Sequence, residues 1–343
     1  MKIGQLLGFL ALVISLYILW EIRQLLLLLF TAIVLATAIN QLVQRFQRSR
    51  MQRIWAVWLS VLIVFAVLFG CFLVIVPPFI TQFQELVKLF PTGIAKIQQL
   101  ITWLKGTIIG PYVTNLPDIN NLIQQLQPLT ENIWKQAIAF FSTGFSATLE
   151  FLLIIIISLM LLVNPQPYRQ VFVRCFPSFY RHRVEEILTL CGEGLGHWIV
   201  GALITMVFIG FLSGLGLLIL RVPLVLAHAV LAGLLNLIPN IGPTLSVILP
   251  MSIAFLDAPW KAIAVLILYL IIQNIEAYWL TPTIMAKQVS LLPAFTLTAQ
   301  LFFAGFFGAL GLVMALPLAV VAKTWIEELV FKDILDKWKE TSS

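Results

Sequence analysis

The chain is written in long apolar runs separated by short charged connections. A helix needs about 20 mostly apolar residues to cross a bilayer. Runs of that kind lie at about 3–20, 24–43, 54–78, 145–163, 198–220, 224–256, 260–280 and 294–322. The first opens after Met-Lys like a signal peptide, but no small-residue cleavage site follows and a second apolar run begins after Glu21–Arg23, so it reads as a retained span. The 224–256 run is too long for one straight crossing and contains Pro239, Gly242 and Pro243. It is either one broken helix or a helix plus a re-entrant piece. Counted as one crossing, it brings the expected total to about eight.

Two segments have the mixed pattern of helices lying on a surface. In 81–143, Phe83, Leu86, Phe90, Ile94, Ile97, Ile101 and Leu104 recur at steps of three and four, which places them on one helical face. Pro91 and Gly93 interrupt this stretch, and Ile119, Leu122, Leu126, Leu129, Ile133 and Ala137 resume it, broken or kinked at Pro128. Such helices either cap the membrane domain or join subunits. The second segment, Tyr168–Leu190, holds Arg169, Arg174, Arg181 and Arg183 with Glu185 and Glu186. It reads as a short cytoplasmic amphipathic helix whose arginines meet lipid headgroups.

Composition agrees. The apolar share is 61% and the charged share only 10%, against roughly 25% charged in soluble proteins. The net charge of +6 need not imply nucleic acid, because the arginines cluster beside apolar spans as the positive-inside rule expects. Arg45, Arg48, Arg50 and Arg53 follow the second span, Arg169, Arg174, Arg181 and Arg183 the fourth, and Lys323, Lys332, Lys337 and Lys339 the last. Eight crossings with both termini in the cytoplasm satisfy these placements together. Cys71, Cys175 and Cys191 form no disulfide or CxxC pattern. His182, His197 and His228 share no metal-ligand spacing. No metal or cofactor is expected.

Chemistry concentrates at two places. Asn236-Leu-Ile-Pro239-Asn240-Ile-Gly242-Pro243 breaks an apolar run. Each proline removes a donor and obstructs a helix bond, and a broken helix survives in hydrocarbon only where protein or a wet cavity satisfies its backbone. This is a packing kink or the lining of a path. The second place is Gln273-Asn274-Ile275-Glu276-Ala277-Tyr278. A charge inside a span costs roughly 2.5–3.5 kcal/mol on insertion scales, so Glu276 is either a structural acceptor near Pro282 or a group that handles solute or protons. Gly305, Gly308 and Gly311 recur every third residue, the pattern of close helix packing. There is no HExxH, no Gly-x-Ser-x-Gly elbow and no Walker loop, and catalysis is not expected.

The stretch Leu231-Ala-Gly-Leu-Leu-Asn236-Leu-Ile-Pro239-Asn240-Ile-Gly242-Pro243, then Gln273-Asn-Ile-Glu276-Ala-Tyr-Trp-Leu-Thr-Pro282-Thr-Ile-Met285-Ala-Lys287, resembles the autoinducer-2 exporter family, or PerM-like permeases. The closing Gly308-Ala-Leu-Gly311-Leu-Val-Met-Ala-Leu-Pro317 fits as well. The resemblance implies a bacterial-type inner-membrane transporter that assembles as a homo-oligomer. Some members are described as exporting a signal molecule and others as sodium or lithium/proton antiporters. The sequence departs from the family pattern at Asn164-Pro165, at Gly201-Ala202, at Thr283 where arginine is usual, and at Ala286 where glycine is usual. No substrate is carried over.

The expected organisation is all-α: three spans in 1–80, an extracytoplasmic helical segment in 81–143, a fourth span in 144–167, a basic connection in 168–196, a transport region in 197–325 and a tail in 326–343. The expected activity is secondary transport of a small polar solute by alternating access, with cation/proton antiport and a non-transporting scaffold as alternatives. Asn236, Pro239, Asn240, Gly242, Pro243, Gln273, Asn274, Glu276 and Pro282 are the expected path residues, and protonation of Glu276 the coupling event if there is one.

Overall fold

The computed structural model describes residues 10, 13–15, 17–78, 144–280 and 293–336. The 81–143 segment, Pro282 and the end of the tail lie outside the described residues. Those described are helical, with no strand among them. The helices are α1 (Arg23–Arg48), α2 (Arg53–Pro78), α3 (Gly144–Val163), α4 (Pro165–Arg174), α5 (Arg181–Ile219), α6 (Val225–Leu235), α7 (Ile241–Asp257), α8 (Pro259–Ile275) and α9 (Pro293–Trp325). A π-helical turn, Glu276–Leu280, extends α8, and a π-helix, Ile326–Leu335, extends α9. Five described helices are long and apolar enough to cross a membrane, or six if the bent pair α3–α4 is one span. Large apolar side chains such as Val207 (73% exposed) and Leu301 (73%) stand bare on the surface, as lipid-facing residues must. This is an all-α polytopic membrane protein.

The chain forms two compact units. The first comprises Met1–Ala66, Leu149–Leu203 and Pro282–Ser343, and the second Val67–Thr148 and Ile204–Thr281. In the first, Ile39 and Val43 of α1 pack with Ala56, Val57 and Val61 of α2 and Leu162 of α3. Ser158 of α3 donates to the Ala32 carbonyl across the contact at 3.0 Å and to its own Ile154 carbonyl at 2.7 Å, so its hydroxyl has acceptors within the apolar interior.

The basic connection differs from its sequence reading. It is not one amphipathic helix. α4 ends at Arg174, Pro177 precedes a single 3₁₀ turn at Ser178–Tyr180, and α5 then runs unbroken from Arg181 into its apolar stretch. At 39 residues, α5 is about 58 Å long, nearly twice the roughly 30 Å hydrocarbon thickness. It is therefore longer than one straight crossing needs, and its charged residues fall in its first half. Two of its arginines serve the protein rather than lipid. Arg169 donates to the Glu185 carbonyl and to Thr189 Oγ1, both at 2.6 Å, tying α4 to α5. Arg183 reaches Glu186 at 2.9 Å, Glu328 at 2.7 Å and Asp333 at 3.2 Å. Tyr180 donates to the same Asp333 at 2.6 Å, and Lys332 pairs with Glu328 at 2.6 Å. This clasp joins the start of α5 to the π-helix that follows α9.

α9 is not one rod. Gly308 has φ 68° and ψ −147°, a region essentially reserved for glycine. Residues 303 and 311 would lie about 12 Å apart along a continuous helix. Here a Cβ on Gly311 would overlap the Phe303 carbonyl oxygen. The chain folds back at Gly308. Of the three regularly spaced glycines, Gly308 makes the turn, Gly311 permits the close approach, and Gly305 faces open space.

Two outcomes are expected. The Lys332 hydrogen bond, helped by Arg183, holds Glu328 below its ordinary pKa against the opposing effect of burial. A depressed carboxyl contributes stability that is complete above its unfolded pKa of about 4.3 and is lost as pH falls through the folded value. Melting temperature should therefore drop as pH falls below about 4.3, and drop less in Glu328→Gln, as scanning fluorimetry in detergent would record. Separately, a Cβ at Gly242 would overlap the Leu235 carbonyl oxygen, whereas Gly192 has nothing within 4 Å. Gly242→Ala should destabilise by about 1–3 kcal/mol and Gly192→Ala should leave melting unchanged.

Candidate functional site

The site is built within the second unit, by helices that run back and forth. α6 returns antiparallel along the second half of α5. A Cβ on Gly214 would meet Ala229 Cβ at 3.1 Å, one on Gly210 the Ala229 carbonyl at 3.1 Å, and one on Gly233 the Met206 carbonyl at 2.6 Å. Arg221 and Leu224, both at positive φ, make the turn between them. α8 also runs antiparallel to α5, because Gly216 abuts Leu268 while Phe208 meets Trp279, ring centroids 5.8 Å apart. α6 and α8 thus point the same way. The intervening α7 must point the other way, so the 224–256 run turns back rather than crossing once. The described residues leave the expected count of eight crossings unconfirmed, and the reversal itself has a physical reason. Pro239, Asn240 at φ 67° and Gly242 let the chain reverse where an uninterrupted apolar helix would have continued.

The turn brings the two polar motifs together. Asn236 caps the end of α6 and is 7% exposed. Its Nδ2 donates to Glu276 Oε1 at 2.8 Å. Gln273, one turn back on α8, donates to Glu276 Oε2 at 3.4 Å. Both carboxylate oxygens thus receive an amide donor, the pattern of an acceptor-only carboxylate. Asn236 Oδ1 is buried and has no hydrogen-bond partner among the described residues, leaving an acceptor beside the carboxylate. Glu276 directly follows the apolar helix α8 and is half-buried.

The other expected residues separate. Pro239, Gly242 and Pro243 build the turn, where Gly242 N–H bonds the Ile238 carbonyl at 2.8 Å and Ile241 N–H the Pro239 carbonyl at 2.8 Å. Asn240 is exposed, and its carbonyl accepts from Thr244 at 2.8 Å. Asn274 is exposed and donates to its own helix at Leu270, 2.7 Å. Tyr278 is 81% exposed. These two share a face of α8 that points away from Glu276. Pro282 lies outside the described residues.

Sequence reasoning missed a second polar group in the same unit. Ser213, His228 and Tyr269 are buried at 0%, 1% and 4% exposure, and the Tyr269 hydroxyl approaches Ser213. Spacing held the signal. Tyr269, Gln273 and Glu276 stand at i, i+4 and i+7 on α8, one stripe of one face. What the cradle can do is accept hydrogen bonds, or a proton or cation, from a solute. It holds no nucleophile–base pair.

The family comparison decides what kind of machine contains this cradle. The model of the AI-2E family transporter matches residues 9–331. The chain belongs to that family. As an AI-2E family member it is similar to YueF of Bacillus subtilis (strain 168), 27% identical over 79% of this chain and 76% of that protein. It is similar to YhhT of Escherichia coli (strain K12), 26% identical over 89% of this chain and 84% of that one. It is also similar to the AI-2 transport protein TqsA of Escherichia coli (strain K12), 24% identical over 87% and 84%. YueF and YhhT are named for transport with no substrate stated. The AI-2E member described here is a membrane transporter.

The Asn236–Glu276 contact makes a prediction by exchange. Asn236→Asp sets two carboxylates against each other and should cost about 3 kcal/mol. Adding Glu276→Gln restores one amide and one carboxylate in swapped places, and should recover most of that loss in thermal melts of the double variant.

Proposed function

We propose that the protein is a secondary transporter that moves a small polar solute across the inner membrane by alternating access, with the cradle of Asn236, Gln273 and Glu276 as its solute station. The observation that carries this reading is a half-buried carboxylate at the end of an apolar helix, held by amides, one of them at the tip of a folded-back hairpin. Burying such a group without function is costly. The tip has fewer repeating helix bonds than its arms and is the part of the unit that can shift at least cost. Pro239, Asn240, Gly242 and Pro243 shape that tip, while the free Asn236 oxygen and the carboxylate face solute donors. Pro282, a few residues past the end of α8, and Asn274, one face away, would border the path. Proton transfer to Glu276 would release its amides and couple the solute to a proton gradient.

The arginine placement supports cytoplasmic termini. The 81–143 segment would supply the contacts of a homo-oligomer, and 197–325 would be the transport region. Because TqsA is named for AI-2, AI-2 is the first solute to test.

In proteoliposomes with an internal pH-sensitive dye, the wild-type chain should move labelled solute and protons together. Glu276→Gln should lower solute flux at least tenfold and flatten its pH dependence, and Asn236→Leu should lower flux while keeping the pH dependence. Full flux and full pH dependence in Glu276→Gln would sink this proposal.

A further inference from the structure

We propose that α4 and the turn after it lie in the headgroup layer of the bilayer and bind anionic phospholipid, anchoring the clasp at the end of the first unit to the membrane surface. α4 is bent by 94° from Leu149–Val163 of α3. A helix that leaves a span at a right angle lies along the membrane plane. Arg169 and Arg174 and the two exposed prolines of its first turn keep it out of the hydrocarbon.

Its exposed surface has two characters. Tyr168 (43% exposed), Val171 (65%), Phe172 (45%) and Cys175 fall within one face, and Phe179 just beyond is 86% exposed. On the opposite side Val173 is buried at 5% and Arg169 is bonded to α5, so that side is already covered by protein. Phe172 contacts Phe176, which stacks on Trp325 at 6.2 Å. The apolar face is thus continuous with an aromatic cluster at the end of α9, where aromatic residues settle at a lipid–water boundary.

Charge identifies the occupant. Arg174 and Arg181 are exposed beside this face. The Arg53 guanidinium donates to the Leu162 carbonyl at 3.0 Å, which brings the turn carrying exposed Arg48 and Arg50 to the same end of α3. No acidic residue occurs in α4. An apolar stripe bordered by arginines fits an anionic lipid surface, and each arginine near such a surface favours anionic lipid roughly fivefold. This proposal is independent of the solute cradle.

Cys175 gives a direct test. The full chain carrying Cys71→Ala, with buried Cys191 retained, is spin-labelled at Cys175 and reconstituted in phosphatidylglycerol or phosphatidylcholine vesicles. In phosphatidylglycerol the label should be more accessible to oxygen than to a nickel chelate, as expected about 5–10 Å below the surface. Arg174→Gln/Arg181→Gln should reduce the ratio of phosphatidylglycerol to phosphatidylcholine that co-purifies from mixed bilayers at least fivefold. Phe172→Ser should move the label toward water with melting unchanged. A label as open to the nickel chelate as one in solvent, or a lipid ratio unchanged in the double variant, overturns the proposal. A soluble protein covering this face would produce the first of those results.

Discussion

In hydrocarbon, a backbone N–H or carbonyl without a partner costs several kcal/mol, and that constraint decides where this chain can bend. Its breaks are not scattered. One lies at Pro239–Asn240 and another at Gly308, and the first is repaired locally. At the first, Leu237 and Ile238 N–H groups bond back to Leu234 and Leu235 at 3.1 and 3.0 Å, and Ser246 reaches the Pro243 carbonyl at 2.8 Å. Proline and glycine supply the reversal, and short turn bonds with hydroxyl donors supply the satisfaction. What remains unsatisfied is a side-chain atom, Asn236 Oδ1.

That residue links the constraint to the chemistry. A helix end in hydrocarbon needs a polar cap, and an amide is a natural one. Because α6 stops where α8 changes to a π-helical turn at Glu276, the cap meets a carboxylate at 2.8 Å. A π turn often marks a functional site because it widens the helix and redirects a side chain. Two local departures from α-helix, each tolerable alone, together set a carboxylate among apolar helices.

Much of this was legible in the chain itself. Apolar runs located α1, α2, α3 and α8 within a few residues, because nothing in lipid competes with hydropathy as a signal. Asn236 and Glu276 stood out because polar groups there are costly. The pairing between them was hidden, since it depends on α6 folding back, and composition cannot distinguish a kinked crossing from a hairpin. The approach of Gly210, Gly214 and Gly233 to their neighbours makes that distinction, and only after folding. Asn274 misled for a related reason. It is adjacent to Gln273 in sequence but about 100° away around the helix. Gly308 was read as one of a packing series because regular spacing says nothing about φ.

The arginines show the same limit at the membrane edge. By sequence Arg169, Arg174, Arg181 and Arg183 form one basic cluster, and the positive-inside rule treats them alike. In the fold Arg169 and Arg183 turn inward, to Thr189 and to Glu328 and Asp333, while Arg174 and Arg181 are exposed, Arg181 giving one N–H to the Phe176 carbonyl at 3.1 Å. The difference comes from Pro177, which divides the segment and lays α4 across the start of α5. The inward arginines brace the joint, and bracing keeps the apolar stripe of α4 turned outward instead of collapsing onto α5. Orientation of the helix and its affinity for the bilayer therefore share a cause: acidic partners on the protein fix half of the basic cluster and leave the other half to the lipid.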